Sequence, residues 1–361
     1  MNERKGIVDA KEFSDALKKV SGITMKSRTL RFLEGVRVDF TGDTCKLTAS
    51  DYSAWLIAEI PASGDVFSFV FTSTKYAATV CRHFDGELSL CLTRENDNLK
   101  LNMACGGKSA EVKVTDTELS PVTPNVEALH SYQARADELL ERINRVKYAA
   151  RPTADDKALN GVRFEGHHVW CIDSSRMAVN DSETLYVSRR FIIPVYATKH
   201  LKMFGSSHVE IAVGENYAAF TGEGLTLLCR LLATADTFSV EKFLLQKSVD
   251  TYRIDRREYL DAVRYLTDCG KGRKMRRVQF HEGTLFLMDK DAVFTAKVDT
   301  DGECGSDYAF DMNCMKDALA QFAQADTIQV SSGNPSPIIL RAGADTALLI
   351  PMSVKYIDRA A

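Results

Sequence analysis

The sequence predicts an α+β fold of three similar domains, each with helices on one side of antiparallel sheets. Three observations carry this. Two alternating strands joined by a short turn and closed by an aspartate occur three times, ending at Asp51, Asp173 and Asp289. A helical stretch that runs into an alternating strand also occurs three times, with strands at Leu88, Val209 and Ile328. Successive copies lie 122 and 116 residues apart for the aspartates, and 121 and 119 for the strands. Solenoid units run ~20–50 residues, so this period is that of a small domain instead.

Each element follows from local pattern. The first repeat opens with an amphipathic helix over residues 11–20. Next come Leu33-Glu34-Gly35-Val36-Arg37-Val38-Asp39-Phe40 and Cys45-Lys46-Leu47-Thr48-Ala49-Ser50-Asp51. Val36, Val38 and Phe40 point one way and Arg37 and Asp39 the other, so one sheet face is buried. A helix over 73–84 leads into a strand over 88–92. The second repeat begins with a helix over 134–149, whose Leu139, Leu140, Ile143 and Val146 form one stripe away from Arg135, Arg142, Arg145 and Lys147. Leu159-Asn160-Gly161-Val162-Arg163-Phe164 and Val169-Trp170-Cys171-Ile172-Asp173 follow, then a helix over 197–204 and a strand over 209–213. The third repeat has a helix over 256–269, strands at Arg276-Arg277-Val278-Gln279-Phe280 and Leu285-Phe286-Leu287-Met288-Asp289, a helix over 312–323 and a strand over 328–330. The proline-marked Ser120-Pro121-Val122-Thr123-Pro124 and a polar stretch at 246–250 divide the chain into domains 1–122, 123–247 and 248–361.

Composition narrows the function. No apolar run reaches the ~18 residues of a membrane span, and the N-terminal charges have no apolar stretch behind them, so no secretory signal is expected. The nine cysteines are odd in number and irregularly spaced, which fits free thiols in a reducing cytoplasm. With 49 acidic and 46 basic residues, any nucleic-acid surface must be a local basic patch on an acidic body.

Catalytic patterns fail on inspection. Gly106-Gly107-Lys108-Ser109 resembles the end of a phosphate-binding loop, but Asn102 stands where that loop needs its first glycine, and a strand follows instead of a helix. A hairpin turn is the better account. His167-His168 are neighbours on a strand pattern, so their rings point apart and do not suit one metal ion. No nucleophile has a local activating partner. The expectation is therefore a non-enzyme with no catalytic residues, no cofactor and no metal.

The helices carry the cations: Lys11, Lys18, Lys19, Lys75 and Arg82 in the first repeat; Arg135, Arg142, Arg145, Lys147, Lys199 and Lys202 in the second; Arg256, Arg257, Arg264 and Lys316 in the third. Taken singly, each helix reads as a solvated face with i,i+4 ion pairs. Repeated in three domains about a common axis, they would add into one positive surface that holds a phosphate backbone without reading bases.

At this point the residues resemble a known family, the bacterial sliding clamp, which is the beta subunit of DNA polymerase III. Leu159-Asn160-Gly161-Val162-Arg163-Phe164, then Ile172-Asp173-Ser174-Ser175-Arg176-Met177-Ala178-Val179, is similar to the family's L-N-G-x-x-F and T-D-G-H-R-L-A. Leu348-Leu349-Ile350-Pro351-Met352 is similar to its closing V-M-P-M segment, and Thr29-Leu30 before Phe32-Leu33 to its first-domain T-L-P-I-L. The similarity covers essentially the whole chain. It implies a head-to-tail homodimer closing into a six-domain ring, with helices lining a hole that double-stranded DNA threads without sequence preference. It further implies tethering of the replicative DNA polymerase, the clamp loader and repair proteins through short linear motifs, in the cytoplasm and away from membranes.

Residue by residue, the resemblance assigns DNA contact to Lys26, Arg28, Lys75, Arg82, Lys199 and Lys202, and the helix reading adds Arg142 and Arg145. It assigns a partner-peptide cleft between the second and third domains to Leu159, Ile172, Ser174, Ser175, Arg176, Met177, Ser239, Phe243, Leu244, Met275, Leu349, Ile350, Pro351, Met352 and Val354. Methionine and aliphatic side chains suit an adaptable pocket. The chain departs from the family at the cleft: Ser174-Ser175 replace G-H, Ser239 a proline and Phe243 an arginine, and residues 355–361 run past the usual end. These departures keep a second reading open, a clamp-fold scaffold or competitor for clamp partners that does not slide on DNA.

Overall fold

Antiparallel sheets built by short turns dominate both compact units of the chain. The first unit comprises Met1–Leu140 with Tyr196–Leu231, and the second Glu141–Val195 with Leu232–Ala361. The computed structural model describes all residues except 1–2, 26–30, 52, 73, 96–97, 119, 121, 152–156, 234–238, 245–249, 272–275, 290, 303–305, 333–335 and 355–361.

The α-helices are α1 (Ala10–Ser21), α2 (Thr74–Cys81), α3 (Ala136–Val146), α4 (Val240–Leu244), α5 (Arg256–Cys269) and α6 (Met312–Gln321). Three start on an aspartate. The carboxylate of Asp9 accepts from the N–H groups of Lys11 and Glu12, that of Asp255 from Glu258, and that of Asp311 from Asn313 and Cys314. Each such cap is worth about 1 kcal/mol to its helix. The 197–204 stretch is a 3-10 helix, Ala197–Phe204, ending at Gly205 with φ of 57°.

In the first unit an eight-stranded sheet runs His130–Arg135, His208–Val213, Tyr217–Gly222, Leu225–Arg230, Ala54–Pro61, Thr44–Ser50, Val36–Thr41, Val66–Phe71. A five-stranded sheet runs Ser63–Gly64, Arg4–Asp9, Glu87–Glu95, Asn98–Cys105, Lys108–Val114. In the second unit a nine-stranded sheet runs Val187–Pro194, Gly161–Gly166, His168–Ile172, Arg176–Asp181, Asp345–Leu349, Ile338–Ala342, Thr327–Ser332, Asp250–Asp255, Thr300–Asp301. A four-stranded sheet runs Val293–Lys297, Thr284–Met288, Arg277–His281, Tyr308–Asp311.

Each large sheet contains a seam where strands far apart in sequence pair. Trp55 faces Leu228 in the first unit, and Met177 faces Leu348 in the second. Trp55 and Met177 lie 122 residues apart in the chain, and Leu228 and Leu348 lie 120 apart. The seams join strands from successive sequence repeats, so the compact units cut across the repeats.

The repeat is visible in backbone detail. The N–H groups of Asp51, Asp173 and Asp289 each donate to the carbonyl three residues on, at Ala54, Arg176 and Ala292, over 3.2, 2.9 and 2.8 Å. The Asp51 and Asp173 carboxylates close the same turns by accepting backbone N–H bonds from Ala54 and Arg176. This local bonding is why an aspartate recurs there.

The strands before the helices, Arg4–Asp9, His130–Arg135 and Asp250–Asp255, are an addition to the expected repeat. Each pairs antiparallel with the strand that follows the second helix of its repeat, Glu87–Glu95, His208–Val213 and Thr327–Ser332. Gly106 and Gly107 take φ of 55° and 80° between Cys105 and Lys108, as a two-residue hairpin turn requires.

Aromatic side chains fill both cores. Phe13 and Phe69 meet Phe71 edge-on in the first unit, and Phe280 stacks between Tyr252 and Tyr308 in the second. The hydroxyls of Tyr252 and Tyr259 both bond that of Tyr308, so these buried polar tips satisfy one another.

Candidate functional site

The second-unit seam builds an apolar cluster from strand alternation. Met177 and Val179 share a face, Leu348 lies opposite Met177, Ile339 lies beside Leu348, and Trp170 lies opposite Val179. With Val240 of α4 these residues form one buried cluster, and Ile172, Phe243 and Leu244 pack on it while still partly exposed. α4 is only five residues long; the Arg341 guanidinium holds its end by donating to the Leu244 carbonyl at 2.9 Å.

The rim is polar. Ser174 and Ser175 are exposed on the Asp173 turn, and the Ser175 carbonyl accepts from the Ile350 N–H at 2.9 Å. The Met352 N–H donates to the Ala309 carbonyl at 2.7 Å. This C-terminal stretch leaves Ile350 53% and Met352 38% exposed, beside a fully buried Leu349. Arg176 is fixed from three sides: Nη1 lies 2.7 Å from Asp317, Nε 3.3 Å from Asp173, and the guanidinium 5.4 Å from the Tyr148 ring centre. Burial opposes its charge, but the hydrogen bond to Asp317 and the nearby carboxylates hold its pKa above the ordinary value.

Of the expected cleft residues, the structure therefore gathers Ile172, Met177, Phe243 and Leu244 in one cluster and places Ser174, Ser175, Arg176, Ile350 and Met352 at exposed or partly exposed positions of the same seam. Leu159 is half-buried on the 3-10 helix Lys157–Asn160, and Ser239, Pro351 and Val354 are half-buried. Two assignments change. Met177 is 2% and Leu349 1% exposed, so they belong to buried core clusters and offer a ligand no surface. Met275 lies outside the described residues. Sequence reading missed Trp170, Val240, Ile339 and Leu348; their alternation signalled burial, but only the pairing of strands about 170 residues apart places them together.

The cations divide. Arg82, Lys199 and Lys202 are exposed; an Arg82 Nη lies 3.3 Å from the Thr79 hydroxyl. Lys75 lies in α2, and its side chain is outside the described residues, as are Lys26 and Arg28. Arg142 is a correction. It is 6% exposed, and its Nε donates to Asn180 Oδ1 at 2.9 Å while Nη2 donates to the carbonyls of Asn180 and His167. Burial pushes its pKa down, with Asp181 opposing. Such a guanidinium cannot reach a phosphate. Arg145 is corrected in part, because its charge faces Asp345 at 2.6 Å and Glu141 at 2.7 Å.

Among the described residues, no group of three or more His, Cys, Asp or Glu side chains is placed to hold a metal ion, and no helix is long and apolar enough to cross a membrane. The described cysteines are free, and burial pushes the Cys81 and Cys171 thiols up to about 12.

No protein-family model and no curated protein matches the sequence. Solved structures do match. The DNA polymerase III subunit beta of Pseudomonas aeruginosa aligns with a TM-score of 0.80 over 97% of this chain and 100% of its own, at 16% identity. The DNA polymerase sliding clamp of Bacillus subtilis aligns at 0.80 over 98% and 100%, at 18% identity. This chain has the sliding-clamp fold. The beta sliding clamp of C. crescentus, solved with polyethylene glycol bound to a proposed beta-motif tethering region, aligns at 0.79 over 98% and 100%, at 18% identity. At such identity the sliding-clamp backbone is shared, while the side chains of cleft and cationic surface are this chain's own.

Proposed function

We propose that this chain is a DNA sliding clamp: two copies close head to tail into a ring that encircles duplex DNA and tethers a replicative polymerase, a clamp loader and repair proteins. The observation that carries this is the match to clamp structures over nearly the whole of both chains. A tether needs no chemistry of its own, and the role proposed is that of a non-catalytic accessory subunit.

Two local features support the reading. Exposed Lys199 and Lys202 lie on the 3-10 helix Ala197–Phe204 and exposed Arg82 directly follows α2, where they suit weak, screened phosphate contacts that permit sliding. The seam cleft offers Phe243, Leu244, Ile350 and Met352 at partly exposed positions, so a partner peptide can insert a few apolar anchors that carry most of its affinity.

Light scattering tests the assembly. The ring predicts twice the 40.1 kDa chain mass at micromolar concentration, whereas a strict monomer favours the scaffold reading. Met352→Glu tests the cleft. It should weaken binding of a polymerase-derived peptide at least about tenfold and leave the dimer and the melting temperature unchanged. Unchanged affinity contradicts the assignment.

A further inference from the structure

The first unit repeats the second unit's seam pair by pair, with different side chains. Trp55 faces Leu228 and Ile57 faces Thr226, where the second unit has Met177 facing Leu348 and Val179 facing Thr346. Ala219 stands beside Leu228 as Ile339 stands beside Leu348. Trp55, Ile57, Ala219 and Leu228 form their own apolar cluster, with Val126 and Tyr217 partly buried on it. Tyr217 meets Trp55 edge-on at 5.9 Å.

The strap across this seam differs from α4. It is the extended stretch around residues 122–129, and it leaves Val122 83% and Leu129 50% exposed. It is nonetheless fixed. The Leu129 N–H donates to the Val213 carbonyl at 2.9 Å, and a Cβ on Gly214 would stand 2.8 Å from the Glu127 carbonyl oxygen. Strap and strand end border an open recess of about 240 Å³, with Val126, Leu129 and Tyr217 as its apolar lining and Asn125 and Asn216 beside them. Glu127 and Glu215 are exposed on its rim, and the lining holds no lysine or arginine. The Trp55 indole N–H, in the cluster beneath Tyr217 and Val126, is buried with no acceptor among the described residues.

We propose that this recess is a second docking site, for a short peptide segment that carries a bulky apolar anchor next to lysine or arginine. The anchor fills the Val126–Tyr217 lining, and the cation answers the two carboxylates. The inference borrows from the cleft reading only the kind of occupant; the recess and its charge stand apart from it.

The chain has two tryptophans, and each cluster holds one, Trp55 or Trp170. Full-length protein labelled with fluorotryptophan therefore gives one fluorine resonance per site, assigned with Trp55→Phe. The probe is acetyl-Leu-Phe-Lys-Lys-amide, and acetyl-Leu-Phe-Glu-Glu-amide is the control. The lysine probe should shift the Trp55 resonance saturably and the glutamate probe should not. Glu127→Lys with Glu215→Lys should weaken that response about fivefold, while an unchanged melting temperature of the free variant reports an intact fold. A Trp55 resonance that stays fixed, answers both probes alike, or ignores the charge reversal overturns the proposal. A moving Trp55 beside a fixed Trp170 upholds it and counts against the cleft alone.

Discussion

Helix α3 and the 3-10 helix Ala197–Phe204 read alike in sequence, each an amphipathic stretch with two basic residues three apart, Arg142 and Arg145 in one, Lys199 and Lys202 in the other. In the structure they part. Arg142 turns into the protein, and Arg145 joins it in a network centred on Asn180 and Asp345, whose side chains meet at 2.7 Å. Lys199 and Lys202 stay exposed, while His200 and Leu201 between them are buried. A guanidinium spreads its charge over a planar fork that several oxygens can satisfy, whereas an ammonium is compact and strongly hydrated. Cationic helices are thus of two kinds here, one that fastens the fold and one free to meet an anion.

The sharpest way to break this contrast is Arg142→Ala. Removing the buried hub leaves Asn180 and the His167 carbonyl without their donor and should cost about 3 kcal/mol, read as a lower urea midpoint, with no change in the salt dependence of DNA retention. A loss below about 1 kcal/mol would show the network to be dispensable.

A smaller effect is expected at His200. It is 1% exposed and has no partner at either ring nitrogen among the described residues. Burial first, then Lys199 and Lys202, lower its pKa to about 4 from 6.5, with Asp51 opposing. The unfolded chain therefore binds a proton that the folded chain refuses. Stability is full above pH 6.5 and declines as pH falls toward 4. His200→Leu should flatten urea midpoints across that window relative to the parent; an equal acid decline in both would remove His200 as its cause.

The smallest effect on stability belongs to Lys199→Ala with Lys202→Ala, within about 0.5 kcal/mol. The same pair should lower the slope of log affinity for DNA against log salt by about 2 per chain, or about 4 for the dimeric ring. An unchanged slope would place these lysines off the DNA.

Much of the fold was legible because its signals are local. Asp9, Asp255 and Asp311 mark helix starts that the periodicity also marks, and α5 spans the expected residues. Gly106-Gly107 announced its turn. The strands before the helices were not legible, since six residues such as Arg4–Asp9 alternate too briefly to stand out from a helix start. Nor was Arg142, whose partner Asn180 lies 38 residues away on another element. At the cleft, Leu349 and Ile350 read alike as apolar neighbours. Only the pairing of Leu349 with Ile338 buries the one, while the bond from Ile350 to Ser175 carries the other out of the sheet.

The most direct test of the central claim is retention of loaded protein on circular against linear DNA. A ring held by topology should stay on closed circles through gel filtration in high salt and leave promptly once an enzyme cuts the circle. Equal loss from intact circles and from linear DNA would contradict encirclement.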